Sequence, residues 1–188
     1  MSMQRKVHQG EIRLIKGDIT DLEVEAFVLY ARSDLKLWAG YGNAIATRGG
    51  PEIRQELEAI GGAETGTAVL TGGGNLKAKY VIHAVGPKFQ EPDLKAKLHR
   101  TMLACLNLAA EKGLRQVAFP AMGAGFYGIP LPLCADTMIS AMVEFLQQRT
   151  SVPEIIICAL DNREYAPFQS RLESLEDTWT DAVKGKAS

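Results

Sequence analysis

The chain has 188 residues, 46% of them apolar and 23% charged, with a formal net charge of −1. That length suits one domain with a full hydrophobic core, and the near-neutral balance offers no global positive field for nucleic acid. No apolar run approaches the ~20 residues of a membrane span, and the opening MSMQRKVHQ lacks the apolar stretch of a secretory signal.

Cys105, Cys134 and Cys158 are odd in number and sit among apolar neighbours, with no histidine at ligand spacing. They read as buried thiols of a cytoplasmic protein, and no metal site is expected. Residues 7–8 and 11–16 form a hairpin about Gln9-Gly10, with Ile12 and Leu14 alternating against charge. It ends at Gly17-Asp18-Ile19-Thr20. There Asp18 fits either an Asx turn or a carboxylate open to the amino group of a base.

Residues 26–30 (AFVLY) are a continuous apolar run, the pattern of a central strand covered on both faces. Beyond them Ala39, Gly40 and Gly42 are small, and a helix over 43–48 ends at Gly49-Gly50. A glycine-bearing turn entering a helix N-terminus favours an anion. Pro51 opens a second helix reaching residue 60, with Ile53, Leu57 and Ile60 on one face. Strands follow at 67–71 and 80–84, and His83 inside the second reads as a core residue. The spacing of Leu94, Leu98, Met102, Cys105 and Leu108 or Ala109 predicts a helix over 93–112, closed by Gly113.

The most informative stretch is 117–130, VAFPAMGAGFYGIP. A short buried strand meets Pro120, which cannot donate to a ladder. Gly123, Gly125 and Gly128 then alternate with Ala124, Phe126 and Tyr127. Their backbone N–H groups can converge into an anion-binding nest. The letters also match GxGxxG, but Pro130 and Pro132 delay the next helix and the stretch at 147–149 offers no carboxylate, which argues against a conventional nicotinamide site. A helix over 133–148, a strand over 154–160, a cap at Asp161-Asn162 and a last helix bearing Tyr165, Phe168 and Leu172 complete a domain over 1–183. Residues 184–188 should fray.

Alternating strands and helices imply a sheet covered on both faces, whose ligands gather outside the strands' carboxyl ends. Asp18, the turn at 31–43, the loop at 123–128 and the cap at 160–162 all follow strands, and so should line one cleft.

From about Ile12 to Phe168 the chain resembles a macrodomain, the ADP-ribose-binding family. The resemblance rests on Gly17-Asp18-Ile19-Thr20, Gly49-Gly50-Pro51, Thr65-Gly66-Thr67-Ala68, the run from Tyr80 to Pro87 (YVIHAVGP), and Ala118-Phe119-Pro120 entering the glycine loop. It implies a three-layer α/β/α sandwich about a mixed, mostly parallel sheet. Asp18 would accept the adenine amino group with Ile19 beside it. Gly123, Ala124, Gly125 and Phe126 would wrap the pyrophosphate from one side, and Ala39, Gly40 and Tyr41 from the other. Phe126 or Tyr127 would pack on the distal ribose, and Leu160 would cover adenine. Ala31, Arg32 and Gly42 complete the expected ligand set. The implied partner is ADP-ribose or an ADP-ribosylated protein, with no cofactor.

Hydrolytic macrodomains resembling this chain carry an Asn-Ala-Ala-Asn pattern where Leu29-Tyr30-Ala31-Arg32 stands here. An aspartate many of them use aligns with Gly42, and Trp38 replaces a glycine. A different branch uses a lysine nucleophile with an aspartate, and Ala84 and Tyr127 stand at those positions here, so that mechanism also lacks its parts. No catalytic residue is therefore assigned, and binding is the expected activity. The alternative is hydrolysis of ADP-ribosyl groups or ADP-ribose derivatives, with the ligand's own phosphate holding the water. Arg32 would grip a terminal phosphate or ribose diol, fill the space, or face solvent.

Overall fold

The computed structural model describes residues 2–149 and 151–176. The end of the expected 1–183 domain and the expected tail at 184–188 lie outside the described residues. Seven strands, β1 (Ser2–Val7), β2 (Gly10–Lys16), β3 (Ala26–Tyr30), β4 (Thr67–Gly72), β5 (Tyr80–Val85), β6 (Gln116–Phe119) and β7 (Glu154–Ala159), form one sheet. Their spatial order is β1-β2-β7-β6-β3-β5-β4. The five inner strands run parallel, and the edges β1 and β4 pair antiparallel with β2 and β5.

Helices α1 (Ala39–Gly49) and α2 (Pro51–Ile60) cover one face. The other face is covered by α3 (Leu94–Glu111), α4 (Leu131–Gln148) and α5 (Asn162–Glu173). The strand pleat explains the two cores, because successive side chains point to opposite faces. Val117, Phe119, Ile155 and Ile157 join the α3–α5 core, whereas Ala118, Ile156 and Cys158 join the α1–α2 core. The expected α/β/α sandwich with a mixed, mostly parallel sheet is the observed architecture.

Local readings shift at the ends. The first hairpin arm runs the whole length of β1, and its turn is made by His8 and Gln9, with His8 at φ 52°. Alternation was harder to see there because four of the six side chains of β1 are polar. In α2, Ile53 and Leu57 are buried but Ile60 is 43% exposed. It lies on the last turn, where the helix runs past the core.

His83 on β5 is fully buried, as a core residue should be. The Thr71 hydroxyl donates to the Gly72 carbonyl and receives the Nε2–H of His83 at 2.9 Å, leaving Nδ1 without a partner among the described residues. Protonating Nδ1 would bury a charge and an unmatched donor. Burial pushes its pKa down from 6.5 to about 4. The unfolded chain therefore binds an extra proton between those values, and stability falls as pH drops through that window. Acid titration of folding stability should show a loss of about 3 kcal/mol from this group, and His83→Gln should flatten that slope.

Candidate functional site

Parallel pairing of β2, β7, β6 and β3 delivers their carboxyl ends side by side. Backbone bonds from Gly17 to Ala159 and from Ala31 to Ala84, at 2.9 and 2.7 Å, carry the register past the strand ends. The segments leaving these ends enclose a cleft of about 490 Å³, within the usual size of a ligand pocket.

Asp18 stands at one end. Its Oδ1 accepts the Thr20 N–H at 2.9 Å and the Thr20 hydroxyl at 2.7 Å, so the Asx-type turn is present. Oδ2 makes no hydrogen bond within the described protein and has the Arg48 guanidinium at 3.6 Å. Burial works to raise this pKa, but the Thr20 hydrogen bonds and the Arg48 charge outweigh it and hold the carboxyl below its usual range. Asp18 is thus an oriented anion with one acceptor oxygen left over. Tyr41, Glu164 and Leu160 share this end of the cleft. The Tyr41 phenol is pushed above its ordinary range, first by burial and then by the nearby Glu164, Cys158, Asp18 and Asp161.

Two backbone segments face each other along the middle. In the glycine loop, Gly128 donates to Gly125 and Ile129 to Gly123, at 3.1 and 2.9 Å. The N–H groups of Gly125, Phe126 and Tyr127 donate to no acceptor among the described residues. Opposite them α1 begins without a side-chain cap at Trp38, so its first N–H groups are also open. Gly40 departs from helical geometry inside this first turn, at φ 54° and ψ −129°. The expected helix at 43–48 is extended back to Ala39 across this kink. Two sets of open donors and a helix dipole across one cleft make a cradle for a pyrophosphate-sized anion.

The far end is a row of stacked side chains. Arg32 donates through Nη2 to Asp34 Oδ2 at 2.8 Å and lies over the Trp38 ring at 4.8 Å. The Trp38 ring meets Phe126 edge-on at 4.9 Å, Phe126 meets Tyr127 at 5.9 Å, and Tyr127 leans on Tyr30 at 5.0 Å. The Tyr30 hydroxyl donates to the Pro87 carbonyl. Arg32 is therefore held along this row by Asp34 and Trp38, with its side chain still 39% exposed.

The Macro domain family model matches residues 31–138. The chain belongs to the macrodomain family. A macro domain-containing protein of Caldanaerobacter subterraneus is 39% identical over 88% of this chain and 98% of its own length. ADP-ribose glycohydrolase MACROD1 of Bos taurus is 37% identical over 86% of this chain, which spans 51% of that relative. The Oceanobacillus iheyensis macrodomain solved with ADP superposes with a TM-score of 0.88 at 26% identity, covering 92% of this chain and 95% of that one. The Trypanosoma brucei macrodomain in complex with ADP-ribose gives 0.81 at 28% identity, covering 86% of this chain and 68% of that one.

In this macrodomain the cleft is lined by Asp18, Ala31, Arg32, Ala39, Gly40, Tyr41, Gly42, Gly123, Gly125, Phe126, Tyr127 and Leu160. Two expected ligand residues do not line it. Ile19 is 1% exposed and packs into the α1–α2 core, and the Ala124 side chain packs against the opposite core. Motif position put both in the expected ligand set, but the turn of Ile19–Asp21 directs the Ile19 side chain into the core. Sequence reading missed Tyr30, Lys36, Pro120, Arg163 and Glu164, which also line the cleft. Glu164 had a signal: three residues after the helix-capping Asp161, it reaches back to the Leu160 N–H at 2.7 Å.

Gly123 has φ +72°, and a Cβ there would meet Ile129 Cδ1 at 2.5 Å and Tyr30 Cζ at 3.0 Å. Gly123→Ala should therefore destabilise the protein by about 1–3 kcal/mol in thermal or chemical denaturation. The same substitution should weaken anion binding, because the loop must shift to relieve the contact.

Proposed function

We propose that this macrodomain binds ADP-ribose, free or as the terminal ADP-ribosyl group of a protein. One observation carries the reading. Two open backbone segments face each other across the cleft, and an oriented carboxylate with one spare oxygen stands at its end. The pyrophosphate lies between the glycine loop and the start of α1. The adenine amino group donates to Asp18 Oδ2, with Leu160 covering the base. Leu160 is half exposed, so burying it against adenine adds an apolar gain to the polar contact. The distal ribose then lies toward Arg32, Trp38 and Tyr127. Macrodomains solved with ADP and with ADP-ribose support this ligand class. Among the described residues no helix is long and apolar enough to cross a membrane. The three buried, unpaired cysteines fit a reducing cytoplasm.

Recognition rather than efficient catalysis follows from where the acids stand. The carboxylates lining the cleft, Asp18 and Glu164, are both at the adenine end, and Glu164 is already engaged by the Leu160 N–H. At the other end Asp34 is committed to Arg32 and to the Lys36 N–H. A positioned general base is typically worth 10²–10⁴ in rate, and that contribution is missing beside the distal ribose. The relation to MACROD1, named an ADP-ribose glycohydrolase, favours a second reading. In it, slow hydrolysis proceeds with water held by the ligand's own phosphate.

Calorimetric titration with ADP-ribose should give micromolar or tighter affinity. Asp18→Ala should weaken it about 10- to 100-fold, the worth of a hydrogen bond to a charged group. At a ligand concentration 100 times Kd the protein should gain about 2.7 kcal/mol of stability. No binding by the intact chain would overturn the reading. Incubation with an ADP-ribosylated protein separates the alternatives, since release of ADP-ribose faster than buffer alone would establish the hydrolase.

A further inference from the structure

Five large apolar side chains stand exposed among the described residues, and three of them gather at one place. Ile60 lies on the last turn of α2 and Leu160 at the Asp18 end of the cleft, but Trp38, Phe89 and Phe126 meet at the far end. Trp38 meets Phe126 edge-on at 4.9 Å. The Phe89 N–H donates to the Tyr127 carbonyl at 3.0 Å, which sets Phe89 beside the glycine loop. Single exposed apolar residues are ordinary, whereas a cluster of aromatic rings marks a surface that a partner covers.

A second cavity of about 370 Å³ opens beside these rings. It shares the stacked row with the main cleft and adds Asp34, Lys88 and Glu91. Its carboxylates are engaged from within the protein. Asp34 accepts the Lys36 N–H and Arg32 Nη2, and Glu91 accepts the Lys88 N–H and Lys97 Nζ. The cations keep donors to spare. Arg32 Nε and Nη1 and the ammonium groups of Lys36 and Lys88 make no hydrogen bond among the described residues. The face is thus aromatic and cationic at once.

We infer that this face docks the polypeptide that carries the ADP-ribosyl group: an acidic segment with an apolar side chain next to its modified residue. The inference rests on the ADP-ribose reading, because in that orientation the distal ribose ends at the stacked row. The carrier must then leave the cleft across these rings. Its apolar side chain covers Phe89 and Phe126, and its carboxylates face Lys36, Lys88 and the open edges of Arg32. Rings supply the buried area of such a contact, and complementary charge fixes its direction. A nucleic-acid carrier suits the face less well, since a continuous run of phosphates would have to pass Asp34 and Glu91. A second copy of this chain would set the same cations against one another.

The test is titration of the intact protein with ADP-ribose and with synthetic peptides that carry it through a hydrolysis-resistant bond. One peptide places leucine beside the carrier residue and glutamates around it. A second replaces the glutamates with lysines, and a third replaces the leucine with glycine. The first should bind about tenfold tighter than ADP-ribose at low salt, and the other two should lose most of that gain. Phe89→Ser and Lys88→Gln should each remove much of the gain while leaving affinity for ADP-ribose unchanged. Equal affinity for the three peptides, or variant losses that fall on ADP-ribose alike, would overturn the docking face and leave ADP-ribose binding standing. An ADP-ribosylated oligonucleotide that outcompetes the acidic peptide would overturn it in favour of a nucleic-acid carrier. A dimer in sedimentation that Phe89→Ser dissociates would overturn it in favour of a second copy. Failure of ADP-ribose itself to bind would overturn both readings.

Discussion

The site depends on the parallel alignment of four strands. Because β2, β7, β6 and β3 run the same way, each must end on the same edge of the sheet, and each must release its chain there. An antiparallel partner would have sent every second end to the far edge. The Asp18 turn, the aromatic row, the glycine loop and the α5 cap are distant in sequence yet share one cleft for this reason. The two antiparallel strands lie at the outer edges, where they close the sheet without disturbing this convergence.

A chain of net charge −1 cannot rely on a long-range field to hold an anion. Short-range backbone dipoles take that role in the cleft, where open N–H groups from the glycine loop and the start of α1 converge. The geometry requires local backbone departures. Gly123 and Gly128 take positive φ in one segment, and Ala39 and Gly40 do so in the other. Such conformations persist only where surrounding contacts enforce them. The Trp38–Phe126 contact ties the two segments together, although Phe126 is 76% exposed.

Charge is distributed unevenly along the same cleft. One end presents a carboxylate with a spare oxygen, suited to a donor such as an amino group. The other presents a stacked guanidinium whose acid partner is already satisfied. This polarity gives an asymmetric ligand one favourable direction. It also gathers the carboxylates that line the cleft, Asp18 and Glu164, at the end away from Arg32. In the proposed reading, the groups that would orient ADP-ribose are therefore not placed to accept a proton at its distal ribose.

Periodicity and turn chemistry made most of the architecture legible. The pleat alternation at Ile12 and Leu14, the continuous run Ala26–Tyr30 and the helical stripe through Leu98, Met102 and Cys105 each report a local rule that the fold obeys. Glycine spacing after Phe119 and the acid after Gly17 likewise marked both ends of the cleft, because backbone freedom and capping are properties of a few adjacent residues. The Arg32–Trp38–Phe126–Tyr127–Tyr30 row was not legible, since it joins segments nearly a hundred positions apart through side-chain contacts that no spacing encodes. The inward turn of Ile19 and the second cavity were hidden for the same reason. The sequence by itself determined which segments become strands, helices and anion-ready loops. Only the tertiary structure decided which donors remain unpaired once those segments meet, because a hydrogen bond between distant residues exists only after packing has brought them together.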